Sequence, residues 1–200
     1  MVRSTSVVAL LALTCTLQLT AQAPPSRPGA PPQVSARLAR IRAALDKYRD
    51  PIMAVHDGYF STVACVEYPE AGGAGRMRYP PGGMGVHFLN VGLIGPQIDS
   101  LRPQVLIYEK DRDSLRLVAA EWFVPVAAQP NRPEIFGVPF EGPMEGHHPV
   151  QPVGLHHWDL HVWLWKPNPG GVFTATNANV HCPSGGYSFK EQAPRVAVGP

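Results

Sequence analysis

Five of the eight histidines lie between His147 and His161, and they carry most of the chemistry that this sequence offers. Residue types alternate along 155–165 as they do in a β-strand, where every second side chain shares a face. One face of this predicted strand would carry His157, Asp159, His161, Trp163 and Trp165. The other face is mostly apolar, so ordinary core packing is an alternative explanation. Two imidazoles, a carboxylate and two indoles nevertheless suit the wall of a pocket better than a core.

A single strand cannot complete a metal site from these residues. His157 and His161 would lie about 13 Å apart, because a strand rises roughly 3.3 Å per residue. Other strands must therefore supply ligands. His87 lies in the apolar run 83–88, and Glu121 shares its predicted strand face with apolar residues only. A carboxylate on such a face needs a cation, a hydrogen-bond donor or a metal, since burying a bare charge is costly.

The sharpest hypothesis joins His87, Glu121 and His161 in one site with two imidazoles and one carboxylate. Such a set leaves coordination positions open and suits a divalent transition metal, with Zn²⁺ and Fe²⁺ as the first candidates. Asp159 or His157 would orient a ligand imidazole or serve as an alternative ligand. The competing interpretation is that each histidine makes ordinary hydrogen bonds and that Glu121 pairs with an arginine.

Three further groups offer weaker signals. His56, followed by Asp57, would place an imidazole and an acid at a helix end, where capping is the usual role. The pair His147-His148 lies in a Pro/Gly-rich segment, where a solvated loop is the ordinary interpretation. Trp163 and Trp165 would stack on a sugar ring if exposed, although such residues are more often core.

Composition narrows the class of protein. Charged residues make up 16% of the chain, against roughly 25% in an average soluble protein. The net charge is +2 without a basic stretch, which argues against nucleic acid as a partner. No GxSxG, P-loop or GxGxxG-to-helix motif is present, which argues against acyl and nucleotide chemistry. The 19 glycines and 23 prolines argue against a helical bundle and favour short strands with many turns.

The hydrophobic pattern predicts helices first and strands afterwards. Apolar residues recur at helical spacing from Val34 to Tyr48, and Asp50-Pro51 is typical of the start of a second, short helix. Predicted strands follow at 63–68, 84–94, 104–109, 115–124, 155–165 and 172–176. The fold class is therefore mainly β (α+β), with an antiparallel β-sandwich or small barrel preceded by two N-terminal helices.

The ends of the chain predict export. Residues 1–23 resemble a signal peptide, with Arg3, a short apolar run and the small-x-small site Ala21-Gln22-Ala23. Residues 24–33 form a Pro-rich linker, 34–182 a single domain, and 183–200 a flexible tail. The mature chain would have no membrane span, since the apolar run is too short for one. Cys65 and Cys182 would then form one disulfide, with two buried thiols as the alternative.

Two motifs are similar to those of a known group of proteins. The runs Met84-Gly85-Val86-His87-Phe88 and 160–169, LHVWLWKPNP, resemble motifs of small exported bacterial proteins with no assigned function. The resemblance covers about Tyr48 to Cys182 and implies no activity or site residue. There is also a similarity to cupins, which hold metals with His and Glu inside a β-barrel, although their usual pair of histidines one residue apart is missing here.

Two functions follow from these features. The first is an exported metal-binding protein with a His/carboxylate site, which would be an enzyme if a metal-bound water or oxygen reacts. The second is a non-catalytic module that binds a small ligand, such as a saccharide, through its tryptophan-bearing face. A purely structural exported domain is the third alternative. The identity of the small-molecule partner does not follow from the sequence.

Cleavage of the predicted signal peptide gives a first test. We expect the exported protein to begin at Pro24, because the small residues Ala21 and Ala23 suit signal peptidase. Intact mass spectrometry of protein recovered from the exported fraction measures this directly. A mature protein that retains residues 1–23 would contradict the export prediction.

Overall fold

The structure is a computed structural model that describes residues 32–74, 77–112, 114–145 and 155–183. The predicted signal peptide, the linker up to residue 31, the pair His147-His148 and the tail beyond residue 183 lie outside the described residues. No helix in the described part of the chain is long and apolar enough to cross a membrane.

The N-terminal helices form where the apolar spacing predicts them. Helix α1 spans Pro32–Leu45, a 3₁₀ helix follows at Asp46–Arg49, and α2 spans Pro51–His56. Helix α1 begins two residues before the predicted start, within the last two residues of the predicted linker. The side chain of Asp50 accepts a hydrogen bond from the backbone of Ile52 and caps α2, as the sequence predicts.

Ten strands and a second 3₁₀ helix at Val91–Leu93 make up the rest of the regular structure in the described residues. The bounds of the strands are β1 Phe60–Tyr68, β2 Gly72–Ala74, β3 Met77–Tyr79, β4 Gly82–Leu89, β5 Val105–Asp111, β6 Ser114–Pro125, β7 Glu134–Ile135, β8 Val138–Pro139, β9 Glu141–Met144 and β10 His157–Val162. Six form a curled antiparallel sheet, a half-barrel with the order β1-β4-β5-β6-β10-β9. Two short hairpins, β2-β3 and β7-β8, lie outside it. The prediction of a mainly β fold after two helices is confirmed.

The two faces of the sheet are covered differently. The helices pack on one face, where Leu38, Ile41 and Leu45 join a large apolar core. Alternate residues of β6 and β10, such as Trp122 and Leu160, contribute to this core from the sheet. The opposite face is smaller and mixed, with two apolar clusters and the polar side chains described below. We call this second surface the inner face.

A bulge in β6 alters which side chains share a face. Ile107 pairs with Ala119 while Tyr108 pairs with Leu117, so Val118 is an extra residue in β6. Leu117 consequently joins the helix-side core, whereas Val118 and Ala119 both lie on the inner face. Strict alternation, which places Leu117 beside Glu121, is therefore wrong at this point.

The chain after β10 returns across the inner face, and we call residues 175–182 the closing segment. Gly83 and Asn177 exchange two backbone hydrogen bonds, of 3.0 and 2.9 Å. A Cβ at Gly83 would lie 2.6 Å from the carbonyl oxygen of Val180, so only glycine permits this approach. The Cys65–Cys182 disulfide, with its Cα atoms 5.6 Å apart, ties the end of the segment to β1 and confirms the predicted pairing.

Some predicted elements differ from the structure. Residues 172–176 do not form the expected strand, because this stretch turns repeatedly and bonds to Trp163 only through the Val172 and Thr174 carbonyls. The strand expected over 155–165 is shorter, at His157–Val162. The glycine- and proline-rich stretches that favour loops contain the short strands β2, β3, β7, β8 and β9.

Removal of the disulfide is expected to destabilise the domain strongly. The bridge joins residues 117 positions apart, so the chain-entropy model predicts a loss of about 4–5 kcal/mol in the free energy of unfolding. Urea denaturation of the double variant Cys65→Ala/Cys182→Ala measures this loss against the oxidised wild type. A denaturation midpoint unchanged by the double substitution would contradict it.

Candidate metal centre

The three residues of the predicted metal site come together on the inner face. Glu121 in β6 pairs directly with His161 in β10, so their side chains project from the same side of the sheet. His87 lies in β4, which β5 separates from β6. The curl of the sheet brings the three side chains together across this gap, and their ligand atoms all lie within 4.8 Å of one another.

The distances in this group suit a shared metal ion. Glu121 Oε2 lies 3.5 Å from His87 Nε2 and 3.7 Å from His161 Nε2. Two ligands of a tetrahedral metal with bonds of 2.0–2.1 Å lie about 3.4 Å apart. Contraction by a few tenths of an ångström would therefore bring each carboxylate–imidazole pair to coordination geometry.

The group is buried and short of hydrogen-bond donors. The three side chains are each 2–3% exposed. Within the described ranges, Glu121 Oε2 and both ring nitrogens of His161 have no hydrogen-bond partner. No lysine or arginine of those ranges forms an ion pair with Glu121. The described residues therefore do not support the alternative in which an arginine neutralises this carboxylate.

Electrostatics favours a positive charge within the group. Burial raises the pKa of the Glu121 carboxyl, the nearby His161 opposes this rise, and Asp159 adds to it. Burial alone would lower the pKa of His161, but the carboxylates of Glu121 and Asp159 outweigh it and raise the pKa instead. The two groups therefore compete to hold a proton between them. A bound cation would satisfy the same electrostatic demand.

The two predicted neighbours of the site extend it along β10. Asp159 Oδ1 lies 3.8 Å from His161 Nδ1, on the side of the ring away from Glu121. Asp159 Oδ2 lies 3.9 Å from His157 Nε2. Strand alternation thus places His157, Asp159 and His161 on one face, as the sequence predicts, and all three are buried.

The other candidate residues lie elsewhere. His56 is exposed at the end of α2, and its Nδ1 lies 3.0 Å from Asp57 Oδ1. Trp163 is 5% exposed and donates to the Thr174 carbonyl, whereas the indole of Trp165 donates to Asp46 near the helices. These two indoles do not form an exposed aromatic row of the kind that stacks on sugars.

Glu141 is a residue that sequence reasoning missed. It lies in β9 directly opposite Asp159, and burial together with the Asp159 charge raises its pKa. The sequence places it in a long proline-rich stretch, where no alternation marks a strand. Only the pairing of β9 with β10 shows that it lies opposite Asp159.

Comparison with protein-family models, curated proteins and solved structures found no match to this chain. The site is therefore defined by its geometry: a buried group of two imidazoles and one carboxylate, on a curled antiparallel sheet, that could hold a metal ion.

Substitution of Glu121 separates a metal site from a structural ion-pair network. In the presence of a chelator we expect Glu121→Gln to be less stable than the wild type, by up to about 3–5 kcal/mol, because the substitution leaves His161 without a carboxylate that raises its pKa. Added Zn²⁺ should raise the melting temperature of the wild type but not that of the variant, since a metal that binds only the folded state stabilises it. Thermal melts of both proteins in EDTA and in Zn²⁺ measure the two effects, and equal rises with Zn²⁺ would contradict the metal-site interpretation.

Proposed function

We propose that this chain is an exported metal-binding protein that holds a divalent transition metal between His87, Glu121 and His161. The observation that carries the proposal is the convergence of three buried ligands from three strands within 4.8 Å. Neutral imidazole nitrogens and a carboxylate oxygen suit Zn²⁺ and Fe²⁺.

The ligand count supports a site that can do chemistry. Structural zinc sites are closed by four protein ligands, whereas three ligands leave one position open in a tetrahedral site and three in an octahedral one. A metal in this set would polarise a bound oxygen atom or lower the pKa of a bound water. The chain itself contributes the fixed placement of its ligands, which rigid strands hold more accurately than loops.

Asp159 has the position of a residue that orients a ligand. With His161 Nε2 directed toward Glu121, the Nδ1 hydrogen would point toward Asp159 Oδ1 at 3.8 Å. Such a carboxylate fixes the tautomer of a ligand imidazole and makes it a better donor to the metal. We therefore assign Asp159 as the positioning residue of His161.

Two features support export. The Cys65–Cys182 disulfide is typical of oxidising compartments, and no helix of the described part of the chain could span a membrane. The signal-peptide-like residues 1–23 add to this support at the level of sequence.

Metal analysis of protein purified without a histidine tag tests the proposal. We expect the wild type to bind at least one equivalent of Zn²⁺ or Fe²⁺, and Glu121→Gln and His161→Ala each to lose one. A free metal concentration of 100 times the Kd stabilises the folded state by about 2.7 kcal/mol. The melting temperature of the wild type should therefore rise when metal is added.

His156→Gln is the matched control, because His156 precedes the ligand strand and its side chain is 59% exposed. We expect this variant to bind as much metal as the wild type. A wild type that takes up neither metal after reconstitution, or site variants that retain the full metal content, would overturn the proposal.

A further inference from the structure

A groove of about 1620 Å³ lies between α1, the β7-β8 hairpin and residues 163–174, and we call it the α1 groove. The residues that line it from α1 and the following 3₁₀ helix recur at helical spacing and are Ser35, Leu38, Ala39, Arg42, Ala43, Asp46 and Arg49. This stripe extends about 20 Å, at 1.5 Å per residue, so the α1 groove has room for an extended molecule.

The walls of the α1 groove are largely apolar. Ala39 and Ala43 lie one turn apart on α1 and are both exposed, and their small methyl groups leave the space beside them open. The segment after β10 contributes the half-buried side chains of Leu164, Val172 and Phe173. An elongated groove with such walls suits a ligand with a long apolar body.

The polar side chains of that same segment are already engaged within it. Asn168 donates to the Thr176 carbonyl and accepts a hydrogen bond from the backbone of Gly170. The Thr174 hydroxyl donates to the Gly171 carbonyl. A sugar or a peptide backbone, which brings many polar groups, would find few partners on this wall, whereas an apolar chain needs none.

A cation on the α1 groove defines the charge of the ligand. Arg42 is exposed, and it forms no ion pair with any residue in the described ranges. Asp46, one turn further along, is paired with Arg49 at 2.6 Å and accepts a hydrogen bond from the Trp165 indole. The guanidinium of Arg42 can therefore hold a carboxylate of the ligand through two parallel hydrogen bonds.

We infer that the α1 groove binds an amphipathic anion, namely a carboxylate with a long unbranched apolar chain of the fatty-acid type. Its carboxylate pairs with Arg42, and its chain lies against Ala39, Ala43 and the apolar wall after β10. Glu141 lines the α1 groove from β9 and would repel an anion, which also favours the α1 side for the charged end. The inference does not depend on the proposed metal site.

Displacement of cis-parinaric acid, a fluorescent long-chain fatty acid, tests the inference on the full chain. We expect the wild type to bind this probe, and dodecanoate to displace it about tenfold more effectively than uncharged dodecanol, since a hydrogen bond to a charged group is a strong one. Arg42→Gln should weaken dodecanoate binding about tenfold and leave dodecanol binding unchanged. Ala43→Trp should abolish binding of both, because the indole fills the α1 groove.

Matched controls change the same residue types on α1 outside the α1 groove. Arg40 and Ala36 are exposed and do not line it, so Arg40→Gln and Ala36→Trp should bind the probe and dodecanoate as the wild type does. Circular dichroism checks that each variant is folded. If Ala43→Trp fails to fold, the comparison of Arg42→Gln with Arg40→Gln still decides the result.

Three results would overturn the inference. A wild type that does not bind the probe, or a folded Ala43→Trp variant that binds it fully, removes the ligand from the α1 groove. Equal binding of dodecanoate and dodecanol, with no effect of Arg42→Gln, removes the anionic group. A dimer that Ala43→Trp dissociates, in a protein that does not bind the probe, assigns the α1 groove to a second copy of the chain instead.

Discussion

Two buried carboxylates, Glu121 and Asp159, set the central constraint on this fold. Each lies among imidazoles, and no lysine or arginine in the described ranges forms an ion pair with either. A buried carboxylate has a high desolvation cost, which a protein recovers by protonation, by hydrogen bonding or by binding a cation. Several acceptor atoms of the group have no hydrogen-bond partner within the described residues, which supports the proposal that a cation binds there.

The rest of the structure keeps this polar group in place. The helices cover one face of the sheet with a large apolar core, which leaves the inner face free to carry histidines and carboxylates. The closing segment then packs on that inner face, with Ala175 and Val180 in its two apolar clusters. The disulfide and the close contact at Gly83 fix the segment at separate points. The buried polar side chains, whose desolvation is unfavourable, are thus enclosed by the packed sheet and helices on one side and by the closing segment on the other.

Strand periodicity predicts much of the site, and tertiary geometry supplies the rest. Alternation correctly places His157, Asp159 and His161 on one face, and the apolar surroundings of Glu121 mark it as a buried charge. The approach of His87 depends on the curl of the sheet across β5, which leaves no local signature. The bulge at Val118 and the strand that carries Glu141 could not be predicted from the sequence either, because both follow from pairing with distant segments rather than from residue patterns.

The burial of the ligands also bears on what the centre can accept. Because the three side chains are only 2–3% exposed, a metal held there as proposed would have little room for a bulky substrate in direct contact with it. The inner face is covered by a segment anchored through Cys182 and through backbone bonds to Gly83, so wide opening would break covalent or tightly packed contacts. Under that proposal, the metal would have room only for molecules close to water in size, unless larger ones approach from the β9 edge, where Glu141 is half-buried. Solvent can therefore reach the polar group from the edge of the sheet rather than through the closing segment.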